Sequence, residues 1–323
     1  MKKYLLHLLL LFLFISGCAN RPDAEEEPGN IVIGFSQSGT ESNWRKRHTE
    51  SIREELDKEG YEVLYRNGFM NQDRQIQDIR TFIAYKVDMI VFTTIVEDGW
   101  NAVLLEAKAA GIPVIVVDRH IRTTEGNLYL THIGSSFKAE GNRAGLYITN
   151  HFKSSSQPSI KILEMKGLAN TSPTNFRSEG FMEVISRDPR ISILASLEGD
   201  FIRSKAKDVF RKYIEENGWE DIDVLYSHND EMTLGMLEIM EENGIVPGQD
   251  ILIVTIDGQA EMIENLRAGK VNSVVECNPN AGWFVRNTIK RYLNGNTIPD
   301  EIYMPETVFS DTGNLDSIPP RDY

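Results

Sequence analysis

Cysteine and positive charge are what this 323-residue sequence lacks most. It has 2 cysteines, Cys18 and Cys277, and Cys18 lies beside a leader-like N-terminus, so the sequence predicts no disulfide in the folded part. Acidic residues outnumber basic ones by 48 to 34, which gives a formal charge of −14. Because such a chain repels phosphate backbones, we expect no nucleic-acid partner.

Recognisable catalytic and metal-binding patterns are also missing. We find no nucleophile elbow, no phosphate-binding loop and no cluster at metal-ligand spacing, so the sequence predicts neither a metal site nor a cofactor. Paired carboxylates such as Asp118 and Asp257 could in principle hydrolyse glycosides. Arginines expected beside them, however, would lower their pKa values and remove the general acid. We therefore expect no enzymatic activity.

The first 17 residues have the pattern of an export signal. Lys2 and Lys3 precede an apolar run over 5–15 that is too short to span a bilayer. The run ends in Ile15-Ser-Gly-Cys18, which resembles the cleavage box of bacterial lipoproteins, whose cysteine is acylated. We predict a lipoprotein signal peptide over 1–17, a lipid on Cys18 and a polar membrane tether over 18–30. The alternative is an ordinary secretory leader with an incidental cysteine.

From Ile31 onward, short apolar runs alternate with amphipathic segments. Strands are predicted over 31–35, 61–65, 87–92, within 111–118, and over 160–164, 191–196, 224–226, 251–256 and 273–276, with helical patterns between them. The alternation starts again near residue 135. Such repetition is typical of doubly wound parallel sheets. The sequence therefore predicts an α/β fold with two lobes of similar design.

The stretch from Gly111 to His120 carries the clearest functional signal. A buried strand ends there in Asp118 and Arg119, at the sheet edge where open α/β sheets bind ligands. A carboxylate accepts hydroxyl hydrogen bonds and a guanidinium donates several, so the pair suits a polyol such as a sugar. The alternative is a local ion pair in a loop, which contributes little.

Polar and aromatic side chains follow several other predicted strands. The candidates for ligand contact beside Asp118 and Arg119 are Glu41, Trp44, Arg45, Arg177, Phe201, Asn229, Asp257 and Glu276. Charged groups would bind sugar hydroxyls and rings would cover sugar C–H faces. Each residue also has a purely structural interpretation: Trp44 could be a core residue, and Asp257-Gly258 could be a simple turn.

A set of short motifs resembles the sugar-binding proteins of bacterial ABC importers. The motifs are Phe35-Ser-Gln, Glu41-Ser-Asn-Trp-Arg45, Val117-Asp-Arg119, Gly199-Asp-Phe-Ile-Arg-Ser-Lys205, His228-Asn-Asp-Glu-Met232, Pro247-Gly and Ile256-Asp-Gly258. The family is the ribose/galactose type of periplasmic binding protein, and the galactofuranose-binding members match best. The resemblance runs from about Asn30 to the early three hundreds.

This resemblance implies a type I periplasmic binding protein fold whose chain crosses between two lobes near His132, Glu276 and Met304. The N-terminal lobe would comprise 31–132 plus 277–303, and the C-terminal lobe 133–276 plus 304–323. Asp118 and Arg119 match the family's acid–base pair. The remaining matches are the polar contacts Arg177, Asn229, Asp257 and Glu276, the aromatic positions Trp44 and Phe201, and the galactofuranose-type contacts Glu41 and Arg45. Thr93 and Asn43 depart from the family's pattern.

The function implied is that of a lipid-anchored, monomeric receptor outside the cytoplasm. It would capture a monosaccharide and deliver it to the permease of an ABC importer. The alternative is a sensor that presents the sugar to a membrane histidine kinase. Fold and pocket would be the same in both cases, so the sequence does not separate them.

Overall fold

Two β-sheets organise the chain in the computed structural model, which describes residues 30–126 and 128–323. The first sheet has six parallel strands in the order β11-β5-β4-β3-β1-β2. Its strands are β1 (Val32–Gln37), β2 (Glu62–Asn67), β3 (Met89–Phe92), β4 (Val114–Val117), β5 (Thr131–Gly134) and β11 (Glu301–Tyr303). The predicted signal peptide, Cys18 and the predicted tether up to residue 29 lie outside the described residues.

The second sheet repeats this design. Its order is β12-β10-β9-β8-β6-β7, and only the β10–β12 pair is antiparallel. Its strands are β6 (Ile160–Lys166), β7 (Ile191–Glu198), β8 (Val224–Ser227), β9 (Leu252–Asp257), β10 (Ser273–Glu276) and β12 (Val308–Ser310). The predicted α/β class with two doubly wound lobes is confirmed.

Helices connect the strands and cover both faces of each sheet. They are α1 (Asn43–Lys58), α2 (Gln72–Tyr85), α3 (Asn101–Ala109), α4 (Phe137–His151), α5 (Ser172–Ile185), α6 (Arg203–Asn217), α7 (Asp230–Glu242), α8 (Ala260–Arg267) and α9 (Gly282–Leu293). Side-chain caps fix several of their starts; Ser42, for example, accepts from the backbone N–H of Arg45 at 3.0 Å. Among the residues that the structure describes, no helix has the length and apolar character needed to cross a bilayer.

Alternating side chains build a core on each face of the first sheet. Ile90 and Phe92 of β3 pack on one face, whereas Met89 and Val91 pack on the other. Both faces are covered because parallel strands are joined by crossover helices. The sheet is therefore held rigidly, and the carboxyl ends of its strands meet at one edge.

The chain passes between the two sheets at three places. The first passage follows β5, the second lies between β10 and α9, and the third joins β11 to β12. Helix α9 packs against α1 on the first sheet so closely that a Cβ on Gly282 would lie 1.9 Å from the carbonyl oxygen of Ser51. We call the parts built on the two sheets the first and second lobes.

Candidate functional site

A cavity lies between the two lobes, at the carboxyl ends of their strands, and contains about 360 Å³ of empty space, part of it open to solvent. Its lining comprises Glu41, Ser42, Trp44, Arg45, Asp118, Arg119, Phe137, Pro173, Arg177, Phe201, Asn229, Asp257 and Cys277. All of the predicted ligand contacts except Glu276 are in this set. Apart from Glu41, the predicted residues in the lining are each 6% exposed or less. The expectation that ligand contacts follow the carboxyl ends of parallel strands, which we call the strand-end rule, is met by residues from both lobes. These residues lie together in one buried site.

The first-lobe wall is a network of two acids and two arginines. Arg45, in the first turn of α1, donates to Asp118 at 2.6 Å and to Glu41 at 3.2 Å. Arg119 lies 3.6 Å from Glu41 and 4.0 Å from Asp118. One oxygen of Glu41, Oε2, and the Nε of Arg119 are buried without a hydrogen-bond partner. An unpartnered acceptor and an unpartnered donor in one buried wall are available to a polar ligand.

This network keeps both acids ionised. Burial raises the pKa of Asp118, but the charges of Arg45 and Arg119 and the hydrogen bond from Arg45 outweigh it and lower that pKa overall. Burial likewise raises the pKa of Glu41, and Arg45 and Arg119 lower it further than burial raises it. Burial together with the charge of Arg45 lowers the pKa of Arg119 to about 10, so its guanidinium stays charged at neutral pH. The wall therefore offers carboxylates as acceptors and guanidiniums as donors.

The second-lobe wall is centred on Arg177 of α5. Its Nε donates to Glu140 at 2.7 Å, and its Nη1 donates to the carbonyl of His228 at 2.6 Å. Asn229 caps α7 by accepting from the N–H of Met232 at 3.0 Å and donates to the carbonyl of Phe201 at 3.3 Å. These partners fix the orientation of both side chains before any ligand arrives.

Asp257 behaves differently from the expectation that arginines lower its pKa. Burial, and then the charge of Asp230, raises the pKa of Asp257 well above its usual value despite the presence of Arg177. Asp230 is held beneath it by the N–H groups of Gly258 and Gln259, each 2.8 Å away. The raised pKa favours the protonated form of the Asp257 carboxyl, which can donate as well as accept a hydrogen bond.

The two predicted aromatic residues, Trp44 and Phe201, line the cavity together with Phe137. The Trp44 indole N–H donates to the Cys277 carbonyl at 2.6 Å, and its ring stacks on His48 with an interplanar angle of 12°. Phe201 covers Gly167, where a Cβ would lie 1.9 Å from the ring. The guanidinium of Arg119 lies 5.5 Å from the Phe201 ring centroid. The cavity therefore combines charged groups with flat apolar surfaces.

Three residues of this lining have a strained backbone. Asp118, Phe201 and Asp257 have φ values of 65°, 66° and 133°, a region that side-chain-bearing residues rarely adopt. Each lies just after a strand of one of the two sheets or at its end. Such strain costs on the order of 1–3 kcal/mol per residue and persists where the surrounding structure determines it, as at ligand sites.

Hydrogen bonds join the two lobes beside the cavity. The backbone N–H of His120 donates to Ser172 Oγ at 2.8 Å, and Asn175 donates to the Glu97 carboxylate at 2.6 Å. The N–H of Glu97 donates to the Asn170 carbonyl at 3.2 Å. The lobes are therefore closed over the cavity in this structure.

Glu276 lies apart from the cavity lining. Its carboxylate pairs with Arg321 at 2.5 Å and accepts from the N–H of Thr307 at 3.0 Å. Through these contacts Glu276 connects the end of β10 to the C-terminal segment. Its role as a ligand contact stays a prediction.

Four lining residues escaped the sequence analysis. Ser42, Phe137 and Pro173 lie at or near helix starts, and Cys277 follows β10. The strand-end rule finds residues that directly follow strands, so it misses helix starts that project into the cavity. Cys277 was predicted to be a small buried residue, and it is 2% exposed. Its position directly after β10 is the one sequence feature that could have predicted Cys277 as a lining residue.

The fold and this interlobe cavity define a two-lobed solute-binding protein. A family model described as a periplasmic binding protein domain matches residues 33–297. The chain belongs to the periplasmic binding protein family, whose members bind solutes outside the cytoplasm and are not enzymes. The resemblance inferred from the motifs is confirmed.

Individual relatives match over most of the chain. The galactofuranose-binding protein YtfQ of Escherichia coli is 34% identical over 285 residues, which cover 86% of this chain and 89% of the relative. A structure from Mycobacterium smegmatis in complex with β-D-fucofuranose is 38% identical with a TM-score of 0.84, covering 87% of this chain and 91% of that one. The arabinose-transporter binding protein of Shewanella sp. ANA-3, bound to α- and β-L-arabinofuranose, is 36% identical with a TM-score of 0.82, covering 87% and 92%.

Proposed function

We propose that the protein captures one monosaccharide in the interlobe cavity and delivers it to an ABC importer. The observation that carries this proposal is the joining, in one buried cavity, of carboxylates, guanidiniums and three aromatic rings from both lobes. Carboxylates accept from sugar hydroxyls, guanidiniums donate to them, and rings cover the sugar's C–H faces. The family and the transporter-linked relatives support the same role.

Each predicted residue in the cavity lining has a role in this proposal. Glu41 and Asp118 accept hydroxyl hydrogen bonds, and Arg119 donates through its unpartnered Nε. Arg177 and Asn229 bind from the second lobe, beside Asp257, whose raised pKa favours the protonated form that donates a hydrogen bond. In addition Trp44 and Phe201 cover the two faces of the sugar, and Arg45 holds the two first-lobe acids in place.

We infer further that the sugar is bound as a five-membered ring. The names of three similar proteins refer to galactofuranose, fucofuranose and arabinofuranose. Two of the cavity residues, Glu41 and Arg45, also match the contacts of galactofuranose-type proteins, and they are joined by a hydrogen bond in this structure. A furanose presents its hydroxyls and exocyclic carbons around a small, nearly flat ring, which suits a narrow cavity between two aromatic walls.

The ring form can be read directly by nuclear magnetic resonance. D-Galactose, D-fucose and L-arabinose, each labelled with ¹³C at C1, are added separately to the protein. A bound C1 resonance at the furanose position supports the proposal, because ring size determines that chemical shift. A bound resonance at the pyranose position would contradict the ring form. If none of the three sugars gives a bound resonance at saturating concentration, the furanose class itself is wrong.

We also propose that a lipid on Cys18 holds the protein on a membrane, with residues 18–30 as a tether. The lobes would be 31–132 plus 277–303 and 133–276 plus 304–323, joined by a three-segment hinge, and the protein would act as a monomer. Replacing Cys18 by Ser should leave the protein soluble or unprocessed in a membrane fractionation. A Cys18→Ser protein of mature size that still sediments with membranes would show that the lipid anchor does not exist.

A further inference from the structure

A cluster of three metal-ligating side chains lies outside the sugar cavity, where strands of the first sheet approach the hinge. We call His120, His132 and Glu301 the hinge triad. Their ligand atoms all lie within 4.8 Å of one another. His120 follows β4, His132 lies in β5, and Glu301 lies in the neighbouring strand β11. The three positions are far apart in sequence, which is why no spacing motif reveals them.

The hydrogen bonds of His132 define which of its ring nitrogens is free. Its Nε2 lies 2.8 Å from the carbonyl oxygen of Asp118, which can only accept, so Nε2 carries the hydrogen. In the neutral ring, Nδ1 then presents a lone pair. This lone pair faces Glu301 Oε2 at 2.9 Å, so two acceptors point at each other. A positively charged species between them satisfies both.

His120 adds a second nitrogen on the other oxygen of the same carboxylate. Its Nδ1 lies 3.8 Å from Glu301 Oε1, and its ring centroid lies 3.6 Å from that of His132. The side chains of His120 and Glu301 are 19% and 37% exposed, whereas that of His132 is 1% exposed. His120 and Glu301 line an interlobe groove, through which an ion from solvent reaches the triad.

We propose that the hinge triad binds a divalent cation of the Zn²⁺ class through His120, His132 and Glu301. Two imidazoles and one carboxylate form the ligand set that such borderline cations prefer, and a water from the groove fills the fourth position. The His132 N–H held by the Asp118 carbonyl supplies the outer-shell hydrogen bond that orients a metal-binding histidine. The ring of His120 turns about its Cβ–Cγ bond to bring its lone pair to the ion. This inference does not depend on which sugar the protein binds.

The site lies next to the sugar cavity and to the interlobe contacts. His132 holds the carbonyl of Asp118, and the backbone N–H of His120 donates to Ser172 of the second lobe. The segment after β4 that contains Asp118 and His120 would therefore be held by a cation at the triad in the arrangement that it has in the closed structure. The proposed ligand is thus an inorganic cation that binds beside the hinge and stabilises the closed arrangement of the lobes.

Calorimetric titration with ZnCl₂ tests the proposal on the full chain, prepared without an affinity tag and without sugar. The wild type should bind one equivalent of Zn²⁺. His120→Asn and Glu301→Gln should each weaken that binding by at least about tenfold, since each removes a direct ligand. The matched control is His151→Asn, an exposed histidine at the end of α4, which should bind as the wild type does.

Several outcomes would overturn the site. The first is the absence of saturable Zn²⁺ binding. In that case the short contact between His132 and Glu301 would be an imidazolium–carboxylate ion pair. The second is equal binding by the wild type and both ligand variants, which would locate the ion elsewhere. Visible absorption of the Co²⁺ form provides a second measurement: a four-coordinate spectrum that His120→Asn abolishes supports the triad, and a spectrum unchanged by that substitution contradicts it. Circular dichroism checks that each variant is folded.

Discussion

At the scale of single residues, Asp118 connects the first-lobe wall of the cavity to the neighbouring strand β5. Its carboxylate accepts from Arg45 at 2.6 Å, and its carbonyl lies 2.8 Å from His132 Nε2. Its φ of 65° turns the side chain out of the strand direction and into the cavity. A residue held at both its carboxylate and its carbonyl in a strained conformation is already oriented for a ligand.

We expect Asp118→Ala to weaken sugar binding by at least about tenfold. Removing one member of a buried charged set leaves Arg45 without one of its two carboxylate partners. Such a loss costs about 2–5 kcal/mol, where 1.4 kcal/mol is tenfold in affinity. Calorimetry measures the change, with Asp98→Ala as the control, since Asp98 is an exposed acid paired with Arg122 outside the cavity. An unchanged affinity in Asp118→Ala would remove this carboxylate from the binding site.

His48 makes stability depend on pH at the base of the same wall. It is fully buried, its Nδ1 lies 3.1 Å from the Gln37 amide nitrogen, and burial lowers its pKa from 6.5 to about 3. Between these pH values the unfolded chain binds a proton that the folded protein excludes. The stabilisation is therefore complete above pH 6.5 and is lost as the pH falls toward 3.

His48→Gln should flatten this dependence. The free energy of unfolding of the wild type should fall more steeply with decreasing pH than that of the variant, by up to about 1.4 kcal/mol per pH unit for one histidine. Urea denaturation at several pH values across the window measures both slopes, and the exposed His151→Gln should keep the wild-type slope. Identical slopes in His48→Gln and the wild type would mean that His48 is protonated in the fold.

The strand-end rule shows what sequence can reveal at this scale. It finds Asp118, Arg119, Asn229 and Asp257 because parallel strands deliver the residues after them to one edge. It does not find Phe137 or Pro173, since the approach of a helix start to the cavity depends on how two lobes close. The strand-end rule also does not predict the raised pKa of Asp257. That pKa is raised by burial and by the charge of Asp230, and only the fold shows that Asp230 is close.

At the scale of elements, helices α4 and α5 control the position of Arg177. They touch through glycines: a Cβ on Gly180 would lie 2.0 Å from the Lys138 carbonyl oxygen, and one on Gly141 would lie 2.1 Å from the Arg177 carbonyl oxygen. This close approach places Glu140 of α4 within 2.7 Å of Arg177 of α5. The second-lobe wall therefore depends on two small residues that never touch the cavity.

Gly180→Ala should destabilise the protein by about 1–3 kcal/mol, although alanine is the better helix former by about 1 kcal/mol. The methyl group would push the helices apart and weaken the Glu140–Arg177 contact, so sugar affinity should fall as well. Urea denaturation and calorimetry measure the two effects. Gly126→Ala is the control, because nothing lies within 4 Å of a Cβ there. A Gly180→Ala protein as stable as the wild type would show that the helices have room to separate.

The hydrophobic pattern predicted the long elements and the short apolar strands, but it missed short strands of mixed polarity. Strands β5, β11 and β12 were not predicted, because Thr131–Gly134, Glu301–Tyr303 and Val308–Ser310 are short and mix polar with apolar residues. Each is stabilised by its neighbour in the sheet, such as β11 by β5, and not by a periodic apolar face. Helix α5 begins at Ser172, because Pro173 fits a first helical turn.

At the scale of the whole molecule, the proposed capture of a sugar depends on closure of the two lobes. In the closed arrangement Trp44 of the first lobe belongs to the same buried cluster as Phe137 and Ile256 of the second. Hydrogen bonds from His120 and Asn175 close the edge of the cleft. Because the cavity walls come from both lobes, a sugar that touches both shifts the population toward the closed form.

Small-angle X-ray scattering during a sugar titration measures this closure directly. The radius of gyration of the wild type should decrease as the site fills, with a midpoint equal to the Kd from calorimetry. Asp118→Ala should keep the larger radius at the same sugar concentration, because its site is not filled. A wild-type radius that stays constant while calorimetry shows a saturated site would contradict capture by lobe closure.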